Sequence, residues 1–303
     1  MMTQQKITPF LWFDNQAEDA VKFYTKIFKN SKIGKSTKYD GESAKVSGQK
    51  ENTIMLIDFT LSGQSFGAMN AGPLFKFNPS VSFFINCSTK KEVDEFYAKL
   101  SKGGIVRMAL DKYPFSERYA FISDKYGVSW QIILSNTKVE KKIVPSLLFV
   151  NNKIAKAEEA VKFYTKVFKD SKVKTMMPYD KKQAPKGSVM YSEFIIEGET
   201  FSLMSGIGDH KFDFNEAISF IINCKDQKEV DYYWNNLISG GGQESQCGWL
   251  KDKFGVSWQV TPTMLLEKHL NSKDKTKVKN MLAAMYKMRK LDIAKLEKAY
   301  NGK

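Results

Sequence analysis

An internal repeat constrains this chain more than any other feature. Three motifs occur twice and in the same order: AVKFYTKIFKNSK and AVKFYTKVFKDSK, SFFINC and SFIINC, and DKYGVSWQ and DKFGVSWQ. Eleven of the thirteen positions in the longest pair are identical. The chain therefore contains a tandem duplication. We assign domain 1 to 7–134, a polar linker to 135–142, domain 2 to 143–265 and a basic tail to 272–303.

Each copy divides again by its secondary-structure pattern. A short apolar strand, an amphipathic helix and three further strands follow one another, and this βαβββ order then recurs. Capping boxes are predicted at three helix starts, with pairs Asn15/Glu18, Thr89/Glu92 and Asp226/Glu229. Four βαβββ modules, two in each domain, predict an α+β fold.

The composition of the chain excludes or disfavours several classes of protein function. The longest apolar runs are far shorter than the roughly 18–20 residues of a membrane span, and no signal peptide is visible, so we expect a cytoplasmic protein. The three cysteines fit reduced thiols better than a disulfide framework, and Cys87 and Cys224 read as small buried hydrophobic residues. The net charge of +14 is spread along the chain without a basic run, which does not favour nucleic acid as a partner.

The amino-acid sequences of several segments resemble those of a known family. These segments are ITPFLWFDNQAEDAVKFYTKIFKNSKI, FKFNPSVSFFINC, CGWLKDKFGVSWQVTP and MRKLDIAKLEKAY. They are similar to the PhnB-like branch of the vicinal oxygen chelate superfamily, which includes glyoxalases, bleomycin-resistance proteins and dioxygenases. Members of this branch are often labelled demethylubiquinone methyltransferase. The resemblance implies curved sheets wrapped around a cleft, in which the superfamily's enzymes hold a divalent metal.

The expected metal positions carry poor ligands. The first-strand position falls near Ile7–Thr8 and Ile143–Val144, and the last-strand position falls on Gln131 and Gln259. Asp58 and Glu193 are formally available on a hairpin strand, although we expect solvated carboxylates there. A transition-metal site needs three or four good ligands. We therefore predict no metal and no cofactor.

The sequence also gives little support for methyl transfer or for catalysis by a cysteine nucleophile. Methyl transfer from S-adenosylmethionine usually needs a glycine-rich turn between a strand and a helix, but Gly206 and Gly208 precede a charged loop and 240–242 follows a helix. A cysteine nucleophile formed by Cys247 with His210 or His269 would join distant segments. We predict that the methyltransferase label does not describe this chain's chemistry.

The remaining signal is a binding cleft. By the resemblance, the segments that line it supply these candidate ligand-binding residues: Trp12, Trp130, Gln131, Cys247, Trp249, Trp258 and Gln259. Tryptophan faces and amide groups suit an aromatic or planar ligand. For each tryptophan alone, core packing is the stronger interpretation. For the glutamine pair, a binding role and a structural role are equally supported.

The leading functional hypothesis is a cytosolic small-molecule-binding protein of the vicinal oxygen chelate class, with no reaction assigned. One alternative is a metal-dependent lyase, isomerase or dioxygenase that uses Gln131 or Gln259 with a nearby carboxylate. Another is a nucleic-acid-associated regulator. We further predict a monomeric pseudo-dimer, with the amphipathic tail docked on the second copy or across the seam. The second cleft should keep the binding role, because Cys247-Gly248-Trp249 finds no counterpart in 114–119.

Overall fold

A computed structural model describes residues 5–302. The first copy contains two modules. Module 1 consists of β1 (Ile7–Phe13), α1 (Ala17–Ile27), β2 (Lys32–Lys38), α2 (Gly41–Ser47), β3 (Ile54–Leu61) and β4 (Gln64–Asn70). Module 2 consists of β5 (Val81–Cys87), α3 (Lys90–Leu100), β6 (Ile105–Tyr113), β7 (Ser116–Ser123) and β8 (Ser129–Leu134).

The second copy repeats this order and adds the tail. Module 3 consists of β9 (Ile143–Phe149), a 3₁₀ turn (Asn151–Lys156), α4 (Ala157–Val167), β10 (Lys172–Pro178), β11 (Val189–Ile196) and β12 (Glu199–Ser205). Module 4 consists of β13 (Ile218–Asn223), α5 (Gln227–Ile238), β14 (Gln243–Glu244), β15 (Trp249–Lys251) and β16 (Ser257–Thr261). The tail forms α6 (Thr263–Leu270), α7 (Lys275–Met285) and α8 (Ile293–Tyr300).

Both sheets are built from both copies. Sheet A has the order β14-β15-β16-β13-β1-β4-β3-β2, and sheet B has the order β10-β11-β12-β9-β5-β8-β7-β6. The copies join at the middle of each sheet, where β1 pairs antiparallel with β13 and β5 pairs antiparallel with β9. Module 1 therefore shares a sheet with module 4, and module 2 shares a sheet with module 3. Any cleft on either sheet is composite.

One hydrophobic core lies between the sheets. It contains apolar side chains from the facing sides of both sheets and from α1, α3, α4 and α5. Phe66 of sheet A meets Phe83 of sheet B with ring centroids 5.7 Å apart, and Phe201 meets Phe220 at 5.1 Å. The opposite, outer side of each sheet is left for a cleft. Within residues 5–302 no helix is long and apolar enough to cross a membrane.

The N-terminal caps of the helices show where the local sequence predicts the structure correctly and where it does not. Thr89 and Asp226 accept hydrogen bonds from the backbone of Glu92 and Glu229, so these two predicted caps are confirmed. The predicted Asn15 cap is wrong. Helix α1 has no side-chain cap of its own, and the Ala17 amide donates instead to Asn70 Oδ1 at 2.8 Å. Asn70 is 53 positions away, so no local pattern reports it.

Candidate functional site

Cleft A is the outer face of sheet A. Along β1, Ile7, Leu11 and Phe13 point into the core, and the alternation of a strand places the residues between them on the outer face. The same argument applied to the neighbouring strands gives this set of outward side chains: Thr8, Phe10, Trp12, Asp58, Met69, Ser219, Trp249 and Gln259. The set joins residues from both copies of the repeat.

Sheet A curls around this face. Trp12 lies on β1 and Trp249 on β15, with β13 and β16 between them. Strands three positions apart lie roughly 14 Å from each other in a flat sheet. The two indole rings nevertheless meet edge to face with centroids 6.0 Å apart, and Phe10 lies 6.1 Å from the same Trp249 ring. Trp12 and Trp249, both predicted to bind ligand, therefore form one aromatic wall.

A glycine sets the floor of cleft A. A Cβ atom built on Gly67 would lie 2.5 Å from the Phe10 ring, so the ring rests on bare backbone at this point. Asp58 is the cross-strand partner of Gly67 on the other side. Gly67 therefore lies between Phe10 on β1 and Asp58 on β3 in the register of the sheet.

Gln259 offers an unused acceptor in cleft A. The side chain is 8% exposed, and its Nε2 donates to Ser219 Oγ at 3.0 Å. Among residues 5–302, no group donates to Gln259 Oε1. This oxygen does not belong to the fully buried side-chain atoms without a partner, so it keeps access to solvent. The free oxygen therefore marks a place where a ligand or water donates.

Cleft B is the outer face of sheet B, and its own side chains fill it. Gln131 Nε2 donates to Ser82 Oγ at 2.9 Å, and the Tyr119 hydroxyl donates to Gln131 Oε1 at 2.7 Å. Phe84, Tyr119 and Val144 form a buried cluster above this network, and each is less than a tenth exposed. The predicted site residue Gln131 is therefore fully engaged by the protein.

Strand register explains why the two glutamines differ. Phe121 pairs with Gln131 on β7–β8, and Trp249 pairs with Gln259 on β15–β16. Two residues earlier, Tyr119 therefore corresponds to Cys247. The counterpart of Cys247-Gly248-Trp249 is thus 119–121, and the expectation that 114–119 contains no equivalent residue is wrong at Tyr119. In cleft B the Tyr119 hydroxyl donates to the amide oxygen of Gln131. In cleft A the corresponding residue is Cys247, whose thiol donates to Met285 O and not to Gln259.

Cys247 anchors the tail. It has a positive φ of 56°, and its amide donates to Met288 O at 2.8 Å while its thiol donates to Met285 O. Gly248 donates to Arg289 O at 2.7 Å. Burial raises the pKa of the Cys247 thiol, so it is a poor nucleophile.

His269 packs against Tyr300 in the tail, with ring centroids 3.9 Å apart.

The tail helices form a small unit that docks on the second copy. Met281, Leu291 and Leu296 are fully buried and make its core. Lys290 of the tail pairs with Asp231 of the second copy at 2.6 Å.

Asp58 lies inside cleft A. Its side chain is exposed to solvent, yet burial raises its pKa, followed by the charge of Glu267, while Lys35 opposes both. Accessible surface and desolvation coexist where a carboxylate sits on a concave wall that water still enters. Glu193 holds the equivalent position in sheet B, where Lys174 pairs with it at 2.8 Å.

Trp130 and Trp258 lie in the core, on the side of each sheet away from the clefts. They are 1% and 0% exposed, and each indole donates to a buried aspartate of the repeated DK(Y/F)GVSWQ motif. Asp252 also accepts from the Tyr164 hydroxyl and from the amides of Phe254 and Val256. Asp124 has the same four kinds of donor. Both motifs are structural, and these two predicted site residues do not line a cleft.

The donors of cleft A do not fit a transition metal. No group of three or more His, Cys, Asp or Glu side chains converges anywhere in the described part of the chain, 5–302. The central strands of the cleft instead present Thr8, Ser219, Met69 and Gln259. One amide and two hydroxyls are weak ligands for such an ion.

Two surface depressions lie outside the centre of cleft A. The larger, of about 620 Å³, surrounds the tip of the β6–β7 hairpin, where Lys112 pairs with Glu117 at 2.7 Å. The smaller, of about 270 Å³, is lined by three lysines that all have acidic partners: Lys153, Lys251 and Lys253. The lysines of both depressions are thus engaged in ion pairs, whereas the aromatic wall and the amide oxygen of Gln259 lie in cleft A, which we take as the candidate site.

The fold defines the class of protein. Glyoxalase I from Zea mays superposes with a TM-score of 0.54 over 88% of this chain and 95% of that chain, at 13% identity. This likeness shows a shared fold, which is that of the vicinal oxygen chelate superfamily. The resemblance inferred from the sequence and the predicted α+β fold are confirmed.

The family follows from the sequence itself. The family described as 3-demethylubiquinone-9 3-methyltransferase matches residues 5–133 and again 141–261, and this chain belongs to it. A PhnB protein from Bacillus cereus, described with the same enzyme name, is 40% identical over its whole length and 43% of this chain, with a TM-score of 0.40. No curated protein matches the chain.

Proposed function

We propose that this protein binds a small molecule in cleft A, and that cleft B serves as structure. One observation carries the proposal. Gln259 Oε1 has no donor among residues 5–302, whereas its counterpart on Gln131 accepts from Tyr119. The same sequence motif therefore supports a free acceptor in one cleft and a closed network in the other.

The side chains around Gln259 narrow the chemical class of the ligand. Trp12 and the buried Phe10 each meet the Trp249 ring edge to face, with centroids 6.0 and 6.1 Å away, and together they give an aromatic wall. Such walls bind planar apolar bodies, and the amide oxygen requires a ligand group that donates a hydrogen bond. The ligand class is thus a planar molecule with at least one donor. No reaction is assigned, because the cleft offers no metal donor set and no activated nucleophile.

A pair of related probes tests the proposal. Naphthalen-2-ylmethanol carries a hydroxyl donor, and 2-methylnaphthalene has nearly the same shape without it. Isothermal titration should show about tenfold tighter binding of the alcohol, which is the worth of one well-placed hydrogen bond. Gln259→Leu should abolish this preference, and the matched control Gln131→Leu should preserve it. Equal loss of the preference in both variants would contradict the assignment of one cleft.

A further inference from the structure

We propose that the ligand of cleft A carries a lactam edge, in which a planar ring holds an N–H donor next to a C=O acceptor, and that the side-chain amide of Gln259 binds both groups. This inference rests on the proposed function, because it names the ligand class of the same cleft. The proposed function requires only a donor on the ligand. The lactam edge adds an acceptor in a fixed place beside that donor.

Gln259 keeps one hydrogen-bonding group of each kind. A primary amide has two N–H donors and one oxygen acceptor. The Nε2 atom of Gln259 donates to Ser219 Oγ at 3.0 Å, and this is the only partner of the amide within residues 5–302. One N–H and the oxygen Oε1 are therefore left for a ligand, and Oε1 keeps access to solvent. Glutamine binds planar rings with adjacent donor and acceptor groups through these same two atoms.

A closed set of contacts places this amide against the aromatic wall. Gln259 lies directly opposite Trp249 in the pairing of β15 with β16, and opposite side chains of such a pair are about 5 Å apart. Its hydrogen-bond partner Ser219 lies directly opposite Phe10 in the pairing of β13 with β1. The Phe10 ring in turn meets the Trp249 ring, with centroids 6.1 Å apart. A planar molecule in contact with the wall therefore has the amide within reach of its edge.

The polar groups that adjoin this wall are uncharged. Gln259 is 8% exposed and Ser219 is fully buried, so a ligand that binds the amide gives up most of the hydration of its own polar edge. A charged group loses far more free energy on leaving water than a neutral amide does. A carboxylic acid offers the same donor and acceptor only while it is protonated, and it is ionised at neutral pH. A lactam offers both groups without charge.

Cleft B carries the same amide with its oxygen already in use. Gln131 Nε2 donates to Ser82 Oγ at 2.9 Å, which is the counterpart of the bond to Ser219. The Tyr119 hydroxyl donates to Gln131 Oε1 at 2.7 Å, so a lactam would have to displace this hydroxyl. The two serines also give a matched pair of variants, because Ser219→Ala and Ser82→Ala remove the same anchor of the amide from the two copies.

The experiment compares three bicyclic probes of similar size by isothermal titration on the full chain. Quinolin-2(1H)-one has the lactam edge, coumarin has a ring oxygen in place of the N–H, and naphthalen-2-ol has a donor without the adjacent carbonyl. We expect the lactam to bind about tenfold tighter than coumarin, which directs an oxygen at Gln259 Oε1. It should bind about three- to tenfold tighter than the naphthol, which lacks one hydrogen bond.

The variants assign these preferences to cleft A. Gln259→Leu should remove both preferences, because it removes the donor and the acceptor together. Ser219→Ala should reduce each preference by about threefold, because the amide loses the hydrogen bond that orients it. Ser82→Ala should leave both preferences unchanged. Circular dichroism of each variant confirms that the fold is retained.

The possible outcomes separate the two proposals. If naphthalen-2-ylmethanol binds in a Gln259-dependent way but the lactam binds no tighter than coumarin, the ligand class is refuted and the proposed function stands. A lactam preference that survives Gln259→Leu, or equal effects of Ser82→Ala and Ser219→Ala, would also overturn the ligand class. If neither the alcohol nor any of the three probes binds, both the ligand class and the proposed site fail.

Discussion

The unequal roles of the two glutamines predict unequal effects on stability. Gln131→Leu removes two side-chain hydrogen bonds, one from Tyr119 and one to Ser82, inside a buried cluster. Each such bond contributes about 1 kcal/mol, and a buried hydroxyl left without an acceptor costs a further ~1–3 kcal/mol. The free energy of unfolding should fall by about 3–5 kcal/mol. Gln259→Leu loses only the bond to Ser219, so about 1 kcal/mol is expected.

A second substitution sharpens this comparison. Tyr119→Phe in the Gln131→Leu background removes the stranded hydroxyl, and loss of both partners together is close to neutral. The double variant should recover at least about 1 kcal/mol relative to Gln131→Leu alone. Urea denaturation followed by circular dichroism measures these differences from the midpoints, provided that the slope is unchanged. Equal destabilisation by the two glutamine variants, or no recovery in the double variant, would refute the closed network in cleft B.

Further predictions concern the core, the composition and the assembly. Asp252→Asn should lower the free energy of unfolding by about 3 kcal/mol, because its amide NH₂ would face the donors of Tyr164 and Trp258; the surface change Asp209→Asn should cost less than about 0.5 kcal/mol in the same urea assay. Elemental analysis should find no stoichiometric Zn, Ni or Fe, since the donors do not converge between residues 5 and 302, and one tightly bound ion per copy would contradict this. Titration with S-adenosylmethionine should give no heat, and micromolar binding would contradict our interpretation of the family name. Light scattering should give a mass near 34.6 kDa, and a clean dimer would refute the monomeric pseudo-dimer.

The sequence predicted the fold well, because the repeat is long and its period is visible. Both copies keep the spacing of strands, helix caps and glycine turns, and these are local signals. The pairing of modules from different copies in one sheet depends on contacts between distant parts of the chain, and no local signal reports it. Nothing in β1 or β13 specifies that they pair with each other instead of with a strand of their own copy.

The site was only partly predictable for a related physical reason. Trp12, Trp249 and Gln259 lie on the face of cleft A, but Trp130 and Trp258 belong to the core faces of β8 and β16. The strands ITPFLWF and SWQIIL are apolar on both faces, so alternation does not reveal which tryptophan points outward. The equivalence of Tyr119 and Cys247 depends on the register of a hairpin that differs between the copies.

The packing of the tail was only partly predictable from the sequence. Its apolar spacing predicted a buried face, and Met281, Leu291 and Leu296 are buried in a small core of the tail. The surface on which the tail docks is set by backbone hydrogen bonds from Cys247 and Gly248, and an amphipathic pattern does not specify that surface.

We propose that the ligand binds in cleft A and not in cleft B. The five tryptophans make this directly measurable by ¹⁹F nuclear magnetic resonance of protein labelled with 5-fluorotryptophan. Titration with naphthalen-2-ylmethanol should shift the resonances of Trp12 and Trp249 and leave those of Trp130, Trp234 and Trp258 in place. Saturable binding by calorimetry with unshifted Trp12 and Trp249 resonances would contradict the claim.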